Sequence, residues 1–175
     1  MSLAQPTLED IWKLFQETDR KFQETDKKIQ QVNDSIGRLS NRLGEFVEEM
    51  VRPAAVRLFR ERGIDVHEVH RSVSAERNGE GIEVDLLVVN DGDVVAIECK
   101  SHLSIDDVNA HLQRLEKLKR LLPSYADKRV MGAVTGMVLP DNVAQYAYRQ
   151  GLFVIAQTGD HLIVRNDTAF QAKTW

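Results

Sequence analysis

A seven-residue repeat of apolar positions runs through the first fifty residues, and it limits what this chain can fold into more than any other feature. Its clearest sign is the pentapeptide Phe-Gln-Glu-Thr-Asp, which occurs at 15–19 and again at 22–26. With Leu8 as position a, the a positions are Leu8, Phe15, Phe22, Ile29, Ile36, Leu43 and Met50, and the d positions are Ile11, Thr18, Thr25, Val32, Leu39 and Phe46. Such a series of apolar a positions is typical of a coiled coil.

A coiled-coil helix of this length needs a partner. Thr7 followed by Asp10 predicts a capping box at its start, and at 1.5 Å per residue the helix would be roughly 65 Å long. That is too long to be buried on one small domain, so we expect a homo-oligomer. A parallel dimer places Lys21, at position g of one chain, against Asp26, at position e of the other. The alternative is a monomer whose helix folds back on its own domain.

After the repeat the chain changes character. Pro53 is expected to end or kink the helix, or to begin a short following helix up to Arg62. The predicted order from there is a helix, three strands, a helix, one strand, a helix and two strands, which indicates a mixed α/β fold with a helical crossover between parallel strands. We divide the chain into a coiled-coil helix at 1–52 and an α/β domain at 53–175, with a core helix that starts within 43–52.

Composition limits the classes of function. The 175 residues are 42% apolar and 29% charged, which suits one soluble domain with an appendage. The longest apolar runs span only a few residues and no secretory signal is visible, so we expect a cytoplasmic protein with no membrane partner. The single cysteine, Cys99, excludes an internal disulfide framework. A net charge of −4 argues against indiscriminate coating of nucleic acid.

The strongest local signal is a predicted β-hairpin with an Asp-Gly turn at 91–92. This turn places Asp85 opposite Glu98 and Glu83 opposite Lys100. Because side chains alternate along a strand, these four are expected on one face of the hairpin. The other face is then expected to receive Val84, Leu86, Ile97 and Cys99.

Two facing carboxylates destabilise a sheet unless a cation neutralises them. Asp85 and Glu98 are oxygen ligands of the kind that Mg²⁺ or Mn²⁺ prefers, and such ions also bind substrate phosphate. Lys100, on the same face, is placed to orient or deprotonate a metal-bound water. The alternative is a solvated hairpin face on which Glu83 and Lys100 form an ion pair.

The segments that begin Glu83-Val-Asp85 and Ile97-Glu98-Cys-Lys100 resemble the PD-(D/E)XK nuclease superfamily. The resemblance extends from Leu43 to Tyr148, and it is strongest to an uncharacterised bacterial branch with an N-terminal coiled coil, often found in cyanobacteria. It implies a restriction-endonuclease-like mixed β-sheet core flanked by helices. It also implies Mg²⁺- or Mn²⁺-dependent hydrolysis of phosphodiester bonds in DNA.

By this resemblance, Asp85 and Glu98 are metal ligands and Lys100 is the catalytic lysine. The family often adds a glutamate from the first core helix. Glu48, at the outward f position of the heptads, is the candidate for this third ligand, and Glu45 is the fallback.

The chain departs from the family pattern at two points. Val84 stands where many members have proline, and Lys117 stands where exonuclease-like branches have a tyrosine four residues after a glutamine. The same helix carries Arg114, Lys117 and Arg120 at intervals of three residues, which fits either a solvated face or a track for nucleic-acid phosphates.

Two functions from different classes are therefore open. One is a metal-dependent endonuclease that acts on DNA, and the other is a coiled-coil interaction module whose nuclease-like domain binds nucleic acid or a protein partner without cutting. The joint presence of Asp85, Glu98 and Lys100 favours the enzyme.

Overall fold

The structure is a computed structural model that describes residues 7–175. Helix α1 (Leu8–Arg60) begins at the predicted capping box, where the N–H of Asp10 donates to Oγ1 of Thr7 at 3.3 Å and the N–H of Thr7 donates to the Asp10 carboxylate at 2.9 Å. The elements that follow are β1 (Glu68–Arg77), β2 (Glu80–Val89), β3 (Asp93–His102), α2 (Ile105–Leu121), a 3-10 turn (Pro123–Tyr125), β4 (Arg129–Val138), α3 (Asp141–Arg149), β5 (Phe153–Thr158) and β6 (His161–Val164). This order agrees with the sequence prediction.

The six strands form one mixed sheet in the order β1-β2-β3-β4-β5-β6. The pairs β1–β2, β2–β3 and β5–β6 are antiparallel, whereas β3–β4 and β4–β5 are parallel. Helices α2 and α3 connect the parallel pairs, as the chain requires when it must return to the same edge before starting a parallel strand. The predicted mixed α/β fold with a helical crossover is confirmed.

Helix α1 does not end at Pro53, although such an end is one of the outcomes expected from the sequence, but continues through the proline to Arg60. Proline lacks an N–H and costs a helix interior about 3 kcal/mol. The helix continues because its residues on both sides of the proline are buried: Val47, Val51, Ala55, Leu58 and Phe59. Full burial of one large apolar side chain contributes about 1.5–3 kcal/mol, so several of them outweigh the proline.

Contacts divide the chain into two compact units, the chain up to Arg42 and the segment Leu43–Trp175. The second unit contains the whole sheet and the C-terminal turns of α1. The helix crosses the predicted boundary between residues 52 and 53 without a break, and the separation of functions at that boundary stays a prediction.

The sheet has a hydrophobic core on each face. We call the side covered by α1 the α1 face, and its core includes Val51, Leu58, Leu86, Ile97, Met131 and Ile155. We call the side covered by α2 and α3 the α2 face, and its core includes Leu87, Ala96, Val108, Leu115, Val134 and Ala147. Within residues 7–175, no helix combines the length and the apolar character needed to cross a bilayer.

Candidate active site

The β2–β3 hairpin has the predicted register. Its recorded pairs run from Val89 with Val94 at the turn to Leu86 with Ile97 at the far end. The Asp-Gly turn therefore determines the pairing, as the sequence predicts.

The two strands separate immediately after the pair of Leu86 and Ile97. Strand β3 continues along β4 as far as His102, but it no longer pairs with β2. The predicted pairs of Asp85 with Glu98 and of Glu83 with Lys100 are therefore not formed as ladder pairs. Instead, the Asp85 carboxylate accepts a hydrogen bond from the backbone N–H of Cys99 at 2.7 Å, at the point where the strands part.

The side-chain alternation of β2 is interrupted at Asp85. Leu86 belongs to the α1-face core, as predicted, whereas Val84 belongs to the α2-face core. The prediction that these two residues share a face is wrong. Opposite Asp85, Ser72 of β1 has a φ of 46°, a left-handed conformation that is costly for a residue with a Cβ atom. In both β1 and β2 the side-chain alternation therefore shifts to the other face of the sheet at this point. Glu83 is exposed and is not paired with Lys100.

Glu98 lies at the centre of the site and is 1% exposed. One carboxylate oxygen, Oε1, lies 2.8 Å from Nζ of Lys100, and the other, Oε2, is in contact with the Arg114 guanidinium. Lys100 follows two residues later on β3, while Arg114 reaches the site from α2. A buried carboxylate requires compensation of this kind because leaving it unpaired costs several kcal/mol.

Burial and neighbouring negative charges raise the pKa values of two acidic groups at the site, Asp85 and Glu48. Burial, and then the negative charge of Glu98, raise the pKa of Asp85 to about 6. Burial, and then the charge of Asp85, also raise the pKa of Glu48, which lies on α1. The structure therefore brings Glu48 into the electrostatic neighbourhood of Asp85. Glu45, the fallback, is exposed.

Lys100 remains protonated at neutral pH in this environment. Burial, the largest single influence, would lower its pKa, but the contact with Glu98 together with the negative charges of Asp85 and Asp107 raises the pKa above its usual value. Lys100 is therefore a positive charge beside Glu98, and its role towards a metal-bound water stays a prediction.

His111 is a site residue that the sequence analysis missed. It is fully buried on α2, with Nε2 3.1 Å from the Ala96 carbonyl oxygen and Nδ1 3.8 Å from Oε2 of Glu98. Burial lowers its pKa to about 4, so it is neutral at pH 7. The sequence signal that could have predicted its burial is its position between Val108 and Leu115 on the apolar stripe of the helix.

Cys99 lies on the opposite side of the sheet, in the α1-face core, as the hairpin register predicts. Burial, followed by the nearby negative charges, raises the pKa of its thiol. The thiol therefore stays protonated at neutral pH, which makes it unsuitable as a nucleophile.

The three basic residues of the predicted phosphate track have different partners. Arg114 contacts Glu98, and Arg120 contacts Glu80 of β2. Lys117 makes no ion pair with any residue of the described part of the chain. The predicted phosphate track is thus interrupted by two acidic partners in the absence of nucleic acid.

Comparisons with known proteins return descriptions without an assigned function. A family model described as "Protein of unknown function (DUF3782)" matches residues 6–82, a segment that ends before Asp85. The chain is also similar to a solved structure titled "Crystal Structure of Protein of Unknown Function AF1548", with 18% identity and a TM-score of 0.40 over 62% of this chain. It spans only 56% of that protein's chain. No curated protein matches significantly.

The donor set fits a hard divalent cation that is only partly held by protein. Within residues 7–175, no three His, Cys, Asp or Glu side chains are gathered as a metal-binding group. Mg²⁺, however, is usually bound by one or two carboxylates, with waters and substrate phosphates as its other ligands. Two observations agree with such an ion: Oε1 of Glu98 is buried without a well-aligned hydrogen-bond donor in the described chain, and the Asp85 carboxylate is held at a raised pKa.

Proposed function

We propose that this protein is a metal-dependent nuclease that hydrolyses phosphodiester bonds in DNA. The observation that carries the proposal is the convergence of Asp85, Glu98 and Lys100 where β2 and β3 separate. A strand pair that simply continued would leave no opening beside these side chains. The separation, together with the mutual repulsion of the two carboxylates, favours a site for a cation and a phosphate.

Asp85 and Glu98 would hold the cation, and Glu48 would complete the ligand set from α1. Bound Mg²⁺ or Mn²⁺ would supply an activated water and polarise the phosphoryl oxygens. The hydrogen bond from the Cys99 N–H orients the Asp85 carboxylate. The adjacent ion pairs orient the Glu98 carboxylate, so both ligands are positioned before a cation arrives.

Lys100 contributes a positive charge to the reaction. Its side chain is 35% exposed, so Nζ can reach a phosphate oxygen from the solvent side while Glu98 stays buried. A protonated amine at this place stabilises the negative charge that develops on the phosphorus oxygens during hydrolysis.

The test is cleavage of a panel of plasmid, single-stranded and branched DNA in Mg²⁺ or Mn²⁺. We expect cleavage by the wild type and none by Asp85→Asn or Lys100→Met. Glu83→Gln is the matched control, because Glu83 is an exposed carboxylate on the same strand, and this variant should cleave at the wild-type rate. The absence of cleavage by the wild type, with no Mn²⁺ binding in calorimetry, would refute the proposal.

A second candidate function is supported by the ion pairs of Glu98. Lys100 and Arg114 neutralise this carboxylate without any divalent cation. A domain whose buried carboxylate is neutralised by its own side chains needs no metal ion, and it can bind nucleic acid or a protein partner without cutting. In the cleavage panel, retention of DNA without a product would favour this function over the nuclease.

We also propose that the first unit forms a parallel two-stranded coiled coil with a second copy of the chain. Its a positions remain open to solvent in the single chain, with Phe15, Phe22 and Ile29 exposed by 62%, 64% and 53%. Apolar side chains that recur along one seam of a helix are stabilised when a second helix covers them.

The polar d positions of this helix are compatible with such a seam. The hydroxyl of Thr18 donates to the Leu14 carbonyl oxygen at 2.7 Å, and that of Thr25 donates to the Lys21 carbonyl oxygen at 2.8 Å. Because each hydroxyl is satisfied within its own helix, the methyl group remains available to pack in the seam. The contact of Lys21 with Asp26 of the second copy favours the parallel orientation, at about 0.2–1 kcal/mol for an exposed pair.

A further inference from the structure

Each oxygen of the Glu98 carboxylate lies beside a cationic side chain, although Oε1 has no well-aligned hydrogen-bond donor within residues 7–175. Lys100 forms an ion pair at Oε1, and Arg114 forms an ion pair at Oε2. Glu98 is 1% exposed, whereas the side chains of Lys100 and Arg114 are 35% and 28% exposed, so both cationic groups reach solvent while the carboxylate does not. An additional cation that binds Glu98 therefore competes with these two positive charges.

Arg114 is the group that can leave with less rearrangement. Lys100 belongs to the same strand as Glu98, only two residues along, whereas Arg114 reaches across from α2 through a long side chain. Rotation of that side chain moves the guanidinium without any shift of the helix backbone. A guanidinium is also well shaped for a phosphate, which it binds with two parallel hydrogen bonds.

His111 ensures that Oε2 cannot be left without a cation. Nε2 of His111 faces the Ala96 carbonyl oxygen, which is only an acceptor, so Nε2 carries the proton. Nδ1 then presents a lone pair toward Oε2 at 3.8 Å, and it has no donor among the described residues. Two acceptors facing each other in a buried place are unfavourable, so Oε2 must be neutralised from its other side.

We propose that Arg114 is an exchangeable counter-ion that holds Glu98 in the cation-free protein and turns to a DNA phosphate when a divalent cation binds. This inference rests on the proposed function and assigns the substrate-binding group of that site. It implies that cation binding and DNA binding strengthen each other. The cation frees the Arg114 side chain from Glu98, and the DNA phosphate binds the freed guanidinium. By thermodynamic linkage, the two effects are equal in size.

The first test measures Mn²⁺ binding alone by isothermal titration calorimetry of the full chain, without DNA. Arg114→Gln removes the competing charge, and we expect it to bind Mn²⁺ about tenfold more tightly than the wild type, as loss of one modest competing contact predicts. Lys119→Gln removes the same charge elsewhere on α2 and should leave the affinity unchanged. Arg114→Lys keeps a positive charge and should give an intermediate affinity.

The second test measures DNA binding by fluorescence anisotropy in EDTA and in Ca²⁺, with the DNA checked for integrity afterwards. We expect Ca²⁺ to tighten DNA binding by the wild type and by Lys119→Gln. In Arg114→Gln most of that gain should be lost, because no guanidinium is released. Thermal melting of each variant establishes that it is folded.

The results separate the two proposals. If the wild type binds Mn²⁺ but a folded Arg114→Gln binds it equally or more weakly, the exchange is refuted while the nuclease proposal stands. If neither protein binds Mn²⁺, Glu98 is not a cation ligand, and both proposals fail. If Ca²⁺ strengthens DNA binding equally in the wild type and Arg114→Gln, Arg114 is not the group that reaches the phosphate.

Discussion

Asp85→Asn should make the cation-free protein more stable at neutral pH. Burial and the charge of Glu98 raise the pKa of Asp85 from 3.8 to about 6. Asparagine keeps an oxygen that can accept the hydrogen bond from the Cys99 N–H, but it carries no charge. The substitution therefore removes the cost of the buried charge and keeps most of the geometry.

The sign and size follow from the pKa. A carboxyl whose pKa is raised on folding favours the folded state fully below pH 3.8, and this contribution is lost as the pH rises through about 6. A pKa shift of this size lowers the free energy of unfolding of the wild type by about 3 kcal/mol at high pH. The amide of Asn accepts a weaker hydrogen bond than the carboxylate, and this difference offsets about 1 kcal/mol of the gain in stability. We expect a net gain of about 2 kcal/mol, or about 4–8 °C in Tm for a protein of this size.

The assay is denaturation in EDTA at several pH values between 4 and 8, at one protein concentration. Tryptophan fluorescence reports on the α/β unit through Trp175, which packs on the α2-face core, because Trp12 is already 64% exposed in the folded chain. The difference between variant and wild type should be near zero at pH 4 and reach its maximum above pH 7.

The exposed Glu83→Gln should change stability by less than about 0.5 kcal/mol at every pH. Mn²⁺ should stabilise the wild type and reverse the order of the two proteins. A variant that is no more stable than the wild type at pH 8, or a difference that does not vary with pH, would refute our account of the Asp85 environment.

Two further predictions concern the seam and the core. Thr18→Cys should form a disulfide-linked dimer on mild oxidation, which non-reducing electrophoresis detects. The reason is that equivalent d positions meet only in a parallel in-register pair. Cys99 is buried and serves as the unreactive internal control. A failure to crosslink in a protein that sediments as a dimer would exclude that orientation. Gly132→Ala should destabilise the protein by about 1–3 kcal/mol in urea unfolding, since overpacking has this cost. The new Cβ would lie 2.4 Å from Cδ1 of Leu115, whereas at Gly92, the control, it would meet nothing nearer than 3.9 Å. Equal stability of the two alanine variants would contradict the close packing of α2 on β4.

The features that the sequence predicted correctly depend on neighbours along the chain. The capping box at Thr7 is an interaction over three residues, and a second box of the same kind, between Ser104 and Asp107, caps α2. The register of the β2–β3 hairpin follows from a two-residue turn and the alternation of strand side chains. In each case the determining residues lie within a few positions of one another.

Helix α1 shows how a distant contact overrides a local preference. Pro53 predicts an end or a kink, and the local cost of proline is real. The helix continues because Val51 and Ala55 are buried in a core that includes Leu86 and Ile97, more than thirty residues further along the chain. No local pattern around the proline contains that information.

The arrangement of the candidate site was likewise decided only in three dimensions. The hairpin register follows from the sequence, and in the structure the charges of Glu98 and Lys100 act on Asp85, while the joint role of the three residues stays a proposal. The sequence did not determine that β2 and β3 separate beside them, that the strand changes face at Asp85 opposite Ser72, or that Arg114 and His111 converge on Glu98 from α2. Strand separation depends on the tertiary contacts of the two strand ends, and the burial of a charge depends on which side chains reach it from another element. Both are sums of contacts between residues far apart in the sequence, so the local pattern names the candidate groups, and only the tertiary structure determines their partners.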